Sequence, residues 1–138
     1  MYRSRKNQKF YEKRQQKPGC PFCDPAEINY RLKEQTGHSV VIANDPPYEI
    51  WEHHKVLDNL MVIPKRHVPD LTELTDEELL DISHIIARYE SNGYSVYMRA
   101  NNSPRRTVQH QHTHLIKIDN KSPRLHVYMR KPYILFNI

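Results

Sequence analysis

The sequence predicts an α+β domain: an antiparallel sheet of about five or more strands with one long helix on a face. Three observations predict it. Short β-branched or alternating runs recur between clusters of turn residues. A single strongly periodic segment follows Thr75. Three histidines, His110, His112 and His114, stand at alternate positions, a spacing that shares one face only on a strand.

The elements follow in chain order. Residues 1–17 carry seven cations against a single acid, Glu12, and read as a basic flexible tail ahead of a folded domain over 18–138. The net charge is +5, so the domain itself is near neutral. Such a tail is a solvated arm or makes weak phosphate contact with nucleic acid; no nucleic-acid motif accompanies it. Pro18 and Gly19 mark the start of order. Residues 24–37 admit two readings, a short helix after Asp24-Pro25 or a strand through Ile28, Tyr30 and Leu32. Ser39 to Ala43 predicts a strand that stops at Asn44-Asp45-Pro46-Pro47, and residues 46–56 a loop. Leu60 to Ile63 predicts a second strand, ended by Pro64. Thr75 and Glu78 have capping-box spacing, and Leu79, Leu80, Ile82, Ile85, Ile86 and Tyr89 continue at helical intervals, so a helix is expected over 76–91 with Asn92-Gly93 as its stop. Strands are expected over 94–100 and 108–118, and over 125–130 and 133–137 around Pro132.

Composition excludes several classes. At 138 residues, with 38% hydrophobic and 27% charged residues, the chain is sized and composed as one soluble domain. No run approaches the roughly 18 apolar residues of a membrane span, and the basic start has no apolar stretch behind it as a secretory signal would. A cytoplasmic location is expected. The two cysteines, Cys20 and Cys23, are spaced C-x-x-C, which in a cytosolic protein means a metal half-site or a redox pair. No strand precedes Cys20 as a thioredoxin-like motif requires, so the metal reading leads.

The histidine row carries the chemistry. A neutral imidazole is a competent nucleophile toward phosphorus, and neighbouring imidazoles supply charge or a proton. The middle residue, His112, is flanked on both sides and is the natural nucleophile. The row resembles the signature of the histidine-triad (HIT) superfamily of nucleotide hydrolases and transferases. Other segments resemble that family in the same order: Cys20-Pro21-Phe22-Cys23 its N-terminal zinc half-site, Ile63-Pro64-Lys65-Arg66-His67 its strand-ending turn, Leu71 to Glu78 its helix start, and Asn101-Asn102-Ser103 with Thr107 the loop before the triad.

The resemblance implies a structural zinc held by Cys20, Cys23, His67 and His110, with His54 as the rival to His67. It implies catalytic roles for His112, as the residue that becomes nucleotidylated, and for His114, which contacts phosphate. It implies substrate contacts from Asn44, Asn101, Asn102 and Thr107, a nucleotide or dinucleotide substrate, and a homodimer. The implied reaction is hydrolysis or nucleotidyl transfer at a phosphorus anhydride, ester or phosphoramidate. The alternatives are a non-catalytic zinc-stabilised nucleotide-binding module and an enzyme acting on adenylylated or capped nucleic-acid ends. Asn59 stands where many members have a further histidine, and the spacers Gln111 and Thr113 are polar where most are apolar, which predicts a wetter face opposite the triad. His53 reads as a surface or packing residue, His38, His84 and His126 as incidental, and Tyr48 and Trp51 as loop-packing rings or a base-stacking pair.

Overall fold

The computed structural model describes residues 2–15, 18–121, 126–130 and 133–137. Its elements are α1 (Arg5–Gln15), α2 (Pro25–Asn29), β1 (Leu32–Gln35), β2 (Ser39–Ala43), β3 (Ile50–Trp51), β4 (His54–Pro64), a 3-10 turn (Leu71–Glu73), α3 (Asp76–Ser91), β5 (Ser95–Tyr97), β6 (Thr113–Ile118), β7 (His126–Arg130) and β8 (Tyr133–Asn137). Six strands form one antiparallel sheet in the order β1-β2-β4-β6-β5, with β3 added to β4. The α+β architecture expected from the sequence is the one observed. β7 and β8 pair separately, and Pro132, expected between them, lies outside the described residues, as do Gln16 and Lys17 of the tail.

Residues 24–37 follow the helix reading first, with Ile28 inside α2 and Tyr30 at its C-cap, so the strand expected through Ile28, Tyr30 and Leu32 begins only at Leu32. Asp24 caps α2 by accepting from the Ala26 amide, and β1 follows from Leu32. The capping box of α3 is complete, with Thr75 and Glu78 bonded reciprocally. β4 is longer than expected and reaches back to His54, into the predicted loop. Its extension pairs with β3 through a two-residue turn whose Glu52 (φ 47°) and His53 (φ 66°) are both left-handed, the geometry that matches strand twist.

β4 is the central strand and divides the core. Leu60 and Val62 join Ile82 and Ile85 of α3, with Val41 and Leu115, on one face. Met61 and Ile63 point the other way, into a cluster with Phe22, Val40, Ile42 and Val108. The register sets Met61 opposite His114 and Leu60 opposite Leu115. Because side chains alternate along a strand, His114 and Ile116 face away from α3. The candidate site residue His114 thus lies on the sheet face that the long helix leaves uncovered.

The expected strand over 108–118 begins only at Thr113. The ladder stops at Val62↔Thr113, two residues short of Pro64, whose missing amide cannot continue it. His110 and His112 therefore belong to an extended lead-in, pinned where the Gln111 amide donates to the Val68 carbonyl at 2.7 Å. Among the described residues, no helix is long and apolar enough to cross a membrane.

Candidate active site and metal centre

Four ligand atoms converge at one end of the uncovered face. Cys23 closes a tight turn back on Cys20, its amide donating to the Cys20 carbonyl at 3.0 Å. His110 Nδ1 lies 3.5 Å from each sulfur, and His67 Nδ1 lies 3.2 Å from the Cys23 sulfur. All four atoms fall within 4.8 Å of one another. Around a tetrahedral ion with metal–ligand distances of about 2.0–2.3 Å, neighbouring donors are separated by roughly 3.5 Å, so the three close pairs already have that spacing and the widest needs only to draw in by about 1 Å. Both thiols are free, and burial and the neighbouring Cys20 push the Cys23 thiol up to about 11; a divalent cation would reverse that preference. His54 takes no part: it sits at the start of β4 beside Asp119, 3.6 Å away.

His110 is fully buried, and its second nitrogen fixes the first. Nε2 donates to the Pro64 carbonyl at 2.8 Å, which leaves the Nδ1 lone pair facing the thiols. Its own carbonyl then accepts from His112 Nδ1 at 2.8 Å. A carbonyl can only accept, so the proton of His112 is on Nδ1 and its Nε2 carries a lone pair. Phe22 packs edge-on against both rings, 5.9 Å from His110 and 5.1 Å from His112.

His112 and His114 line a cavity of about 350 Å³. Their rings are 5.3 Å apart. Burial, with help from Arg106, His110 and Arg99, brings the His112 pKa down to about 4, so its imidazole is neutral at physiological pH. Burial holds His114 well below the ordinary value too, with the His112, Arg99 and Arg3 charges acting in the same direction. His114 sits in an aromatic niche, 5.5 Å from Tyr48 and 6.2 Å from Tyr97, and its Nδ1 meets no hydrogen-bond partner among the described residues.

The fold of this site has known counterparts. No protein-family model and no curated protein matches the sequence. Solved structures do match. A HIT family hydrolase from Legionella pneumophila aligns over 83% of this chain and 98% of its own, at 19% identity and a TM-score of 0.54. A histidine triad nucleotide-binding protein from Candida albicans aligns over 73% and 76%, at 22% identity and 0.56. A histidine triad protein from Clostridium difficile aligns over 79% and 97%, at 22% identity and 0.52. The chain has the histidine-triad fold.

Within that fold, the expected substrate residues divide. Asn44 and Thr107 line the cavity. The Asn44 amide is tied to Asn59, donating to its Oδ1 at 2.7 Å, and the same oxygen accepts from the Tyr48 amide at 3.2 Å. Asn59 thus anchors the cavity wall. Asn101 and Asn102 are exposed and do not line the cavity. Their loop is wound into successive turns, Ser103 to Ala100 and Arg106 to Ser103, and the Asn101 amide donates to Asp70 at 3.0 Å.

The face opposite the triad is dry, not wet. Gln111 and Thr113 are buried at 2% and 4% exposure. Gln111 accepts from Arg106, itself buried, which also donates to the Pro69 and Val108 carbonyls. The Gln111 oxygen is therefore satisfied from inside by a cation that the loop delivers, while the Gln111 amide and the Thr113 hydroxyl are both directed at the Met98 sulfur.

The sequence did not point to Arg3, Tyr11 and Arg99, yet all three line the cavity. Arg99 is held by the Arg105 carbonyl at 2.7 Å and the Tyr97 hydroxyl at 3.3 Å. Arg3 and Tyr11 come from the segment expected to be a solvated arm, which forms α1 and lays these residues beside the loop over 46–50. No local signal marks that docking, because its partners lie some 40 residues away, as the separation of 43 between Arg3 and Pro46 illustrates.

Proposed function

We propose that this chain is a histidine-triad hydrolase or nucleotidyltransferase acting at the α-phosphorus of a nucleotide conjugate. One observation carries the reading: His112 Nδ1 is committed to the His110 carbonyl at 2.8 Å, which leaves Nε2 as an unprotonated nucleophile on a ring that lines a cavity. In the proposed reaction Nε2 bonds to phosphorus as the bond to the leaving group breaks, and the bonding electron pair departs with that group. Water or another acceptor then attacks the phosphorus of the nucleotidyl-histidine. His112 leaves with its electron pair restored, and the attacking water releases its proton to solvent. His114 and the Thr107 hydroxyl are the proposed phosphate contacts, and Asn44 borders the nucleoside.

Cys20, Cys23, His67 and His110 would hold a structural zinc ion. Two thiolates and two imidazoles form a closed set with no open position, so the ion's part is to fix His110 and with it the carbonyl that sets the His112 tautomer.

The test is a panel of nucleoside phosphoramidates, dinucleoside polyphosphates and nucleotide sugars, quenched during turnover and read by intact mass. A nucleoside monophosphate adduct is expected on the wild-type chain and absent from His112→Asn, with turnover lowered by a factor on the order of 10³ or more. An adduct on a different histidine, or wild-type turnover by the variant, would refute the mechanism. Nucleotide binding without any turnover would instead favour a non-catalytic binding module.

A further inference from the structure

The cavity wall holds a cation that the chemistry above does not use. Arg3 is fixed from both sides. Before it, the Tyr2 amide donates to the Ile50 carbonyl at 2.8 Å, and the Tyr2 carbonyl accepts from the Glu49 amide at 2.9 Å. After it, Ser4 begins the first turn of α1, and Asn7 donates to the Glu49 carboxylate at 2.6 Å. Arg3 Nε donates to the Pro46 carbonyl at 3.0 Å. Its guanidinium carbon lies 4.3 Å from the ring centres of both Tyr11 and Tyr48. Tyr48 packs against His114, and the Tyr11 hydroxyl meets the Thr107 hydroxyl.

A guanidinium packed between two aromatic rings interacts with other groups through its edge. Edge-on donation is the geometry by which arginine grips phosphate oxygens, with a planar fork that lysine lacks. Arg3 is also close enough to His114, together with Arg99, for both charges to be felt there. Both cations line the cavity, and Arg3 reaches the Thr107 side of it through the ring of Tyr11. From Arg3 the chain continues into α1, which exposes Arg5, Lys6 and Lys9.

We propose that Arg3, clamped between Tyr11 and Tyr48, binds a second phosphate bonded to the attacked one, so that the chain selects conjugates whose leaving group is a phosphate over those whose leaving group is uncharged. This rests on the nucleotidyl-transfer reading of the same site. The shared chemistry is a phosphoanhydride. It occurs both in a free dinucleoside polyphosphate and in a nucleotide joined to the 5′-phosphate of an oligonucleotide.

The experiment uses the full chain, wild type, Arg3→Ala and Arg3→Lys. The substrates share one nucleotide and differ in leaving group: a dinucleoside polyphosphate, the same nucleotide on an oligonucleotide 5′-phosphate, and a nucleoside phosphoramidate with an uncharged amine. Loss of a charge-assisted contact predicts a fall in kcat/KM of about 30-fold or more on the anhydrides for Arg3→Ala, against about threefold or less on the phosphoramidate. Arg3→Lys should recover part of the loss, since it keeps the charge without the fork. Comparing the two anhydrides shows which source the site favours. Titration of ADP and AMP gives a readout that needs no turnover: tighter binding of ADP by the wild type, with the preference lost in Arg3→Ala. An equal loss on all substrates means Arg3 only braces the loop over 46–50, and no loss on any means it is idle; either result overturns the proposal. A wild-type chain that binds no nucleotide at all fails the underlying reading instead.

Discussion

Stripping the metal centre should come close to unfolding the domain. The quartet joins the turn at Cys20 and Cys23 to His67 and His110, across sequence separations of 44 and 87 residues. Chain-entropy estimates put a cross-link over a loop of that length at roughly 4 kcal/mol. Loss of the ion also leaves the fully buried His110 Nδ1 with only the two thiols, 3.5 Å away, as weak partners, at a cost of about 1 kcal/mol. Phe22, between the cysteines and 9% exposed, would lose the turn that holds it against Met61 and Val108, a further ~2 kcal/mol. Together these terms are comparable with the ~5–15 kcal/mol that stabilises a typical domain. The perturbation is Cys20→Ala, with chelation of the wild type as its chemical equivalent. Calorimetry should show the melting temperature falling by roughly 15 °C or more. Cobalt substitution gives an independent readout, since thiolate-to-cobalt charge-transfer absorption should appear in the wild type and weaken in the variant. Identical melting with and without chelator, together with no thiolate–cobalt band, would refute the metal centre.

Further outcomes follow from other contacts. Arg66 and the Thr75 amide hold the Glu78 carboxyl down to about 2, against an unfolded value near 4.5. Its contribution is full above pH 4.5 and is lost as pH falls toward 2, so Glu78→Gln should lower the urea midpoint at pH 7, by the ~1 kcal/mol typical of a lost cap, and differ less from wild type at pH 3. Arg106→Met strands the Pro69 and Val108 carbonyls and the Gln111 side chain, and should cost about 2–4 kcal/mol in denaturant titration. Among the described residues, the core clusters begin at Cys20, so deleting residues 1–17 takes nothing from them. Melting should therefore shift by only a few degrees and metal content should be unchanged; an unfolded product would show that α1 belongs to the core.

What was legible in the sequence was what local rules decide. The bounds of α3 come from a capping box and helical spacing within a single segment, and the structure repeats them as Asp76–Ser91. β2 is a β-branched run ended by its own Asn-Asp-Pro-Pro turn, and it too stands where expected. The misreadings came from distant partners. The start of β6 is set by Pro64, nearly fifty residues earlier in the chain than Thr113, because a strand lasts only while its neighbour can pair. The wet face expected behind the triad is dry because Arg106, from a different loop, supplies the donor that Gln111 needs. Asn101 and Asn102 carry the right residue types, yet the turns of their loop direct them away from the cavity. The preference for His67 over His54 came from the resemblance, because spacing alone does not say which loop approaches the cysteines.

The arrangement around His110 couples the candidate metal centre to the proposed nucleophile. A histidine has three hydrogen-bonding features that matter here: two ring nitrogens and the main-chain carbonyl. In His110 each has a separate task. Nδ1 faces the thiols, Nε2 donates to Pro64 at the end of β4, and the carbonyl takes the Nδ1 proton of His112. Rotating the His110 ring to release the cysteines would also break the bond to Pro64, so ring orientation and strand position are coupled. Moving the backbone would remove the acceptor that holds His112 in the tautomer with a free Nε2. A second conformation of this segment must therefore break several contacts at once, which makes a neutral His112 with an unprotonated Nε2 the default state of the folded chain. Chemistry of this kind needs a fixed lone pair more than it needs a mobile one, because each ångström of misplacement weakens in-line attack on phosphorus.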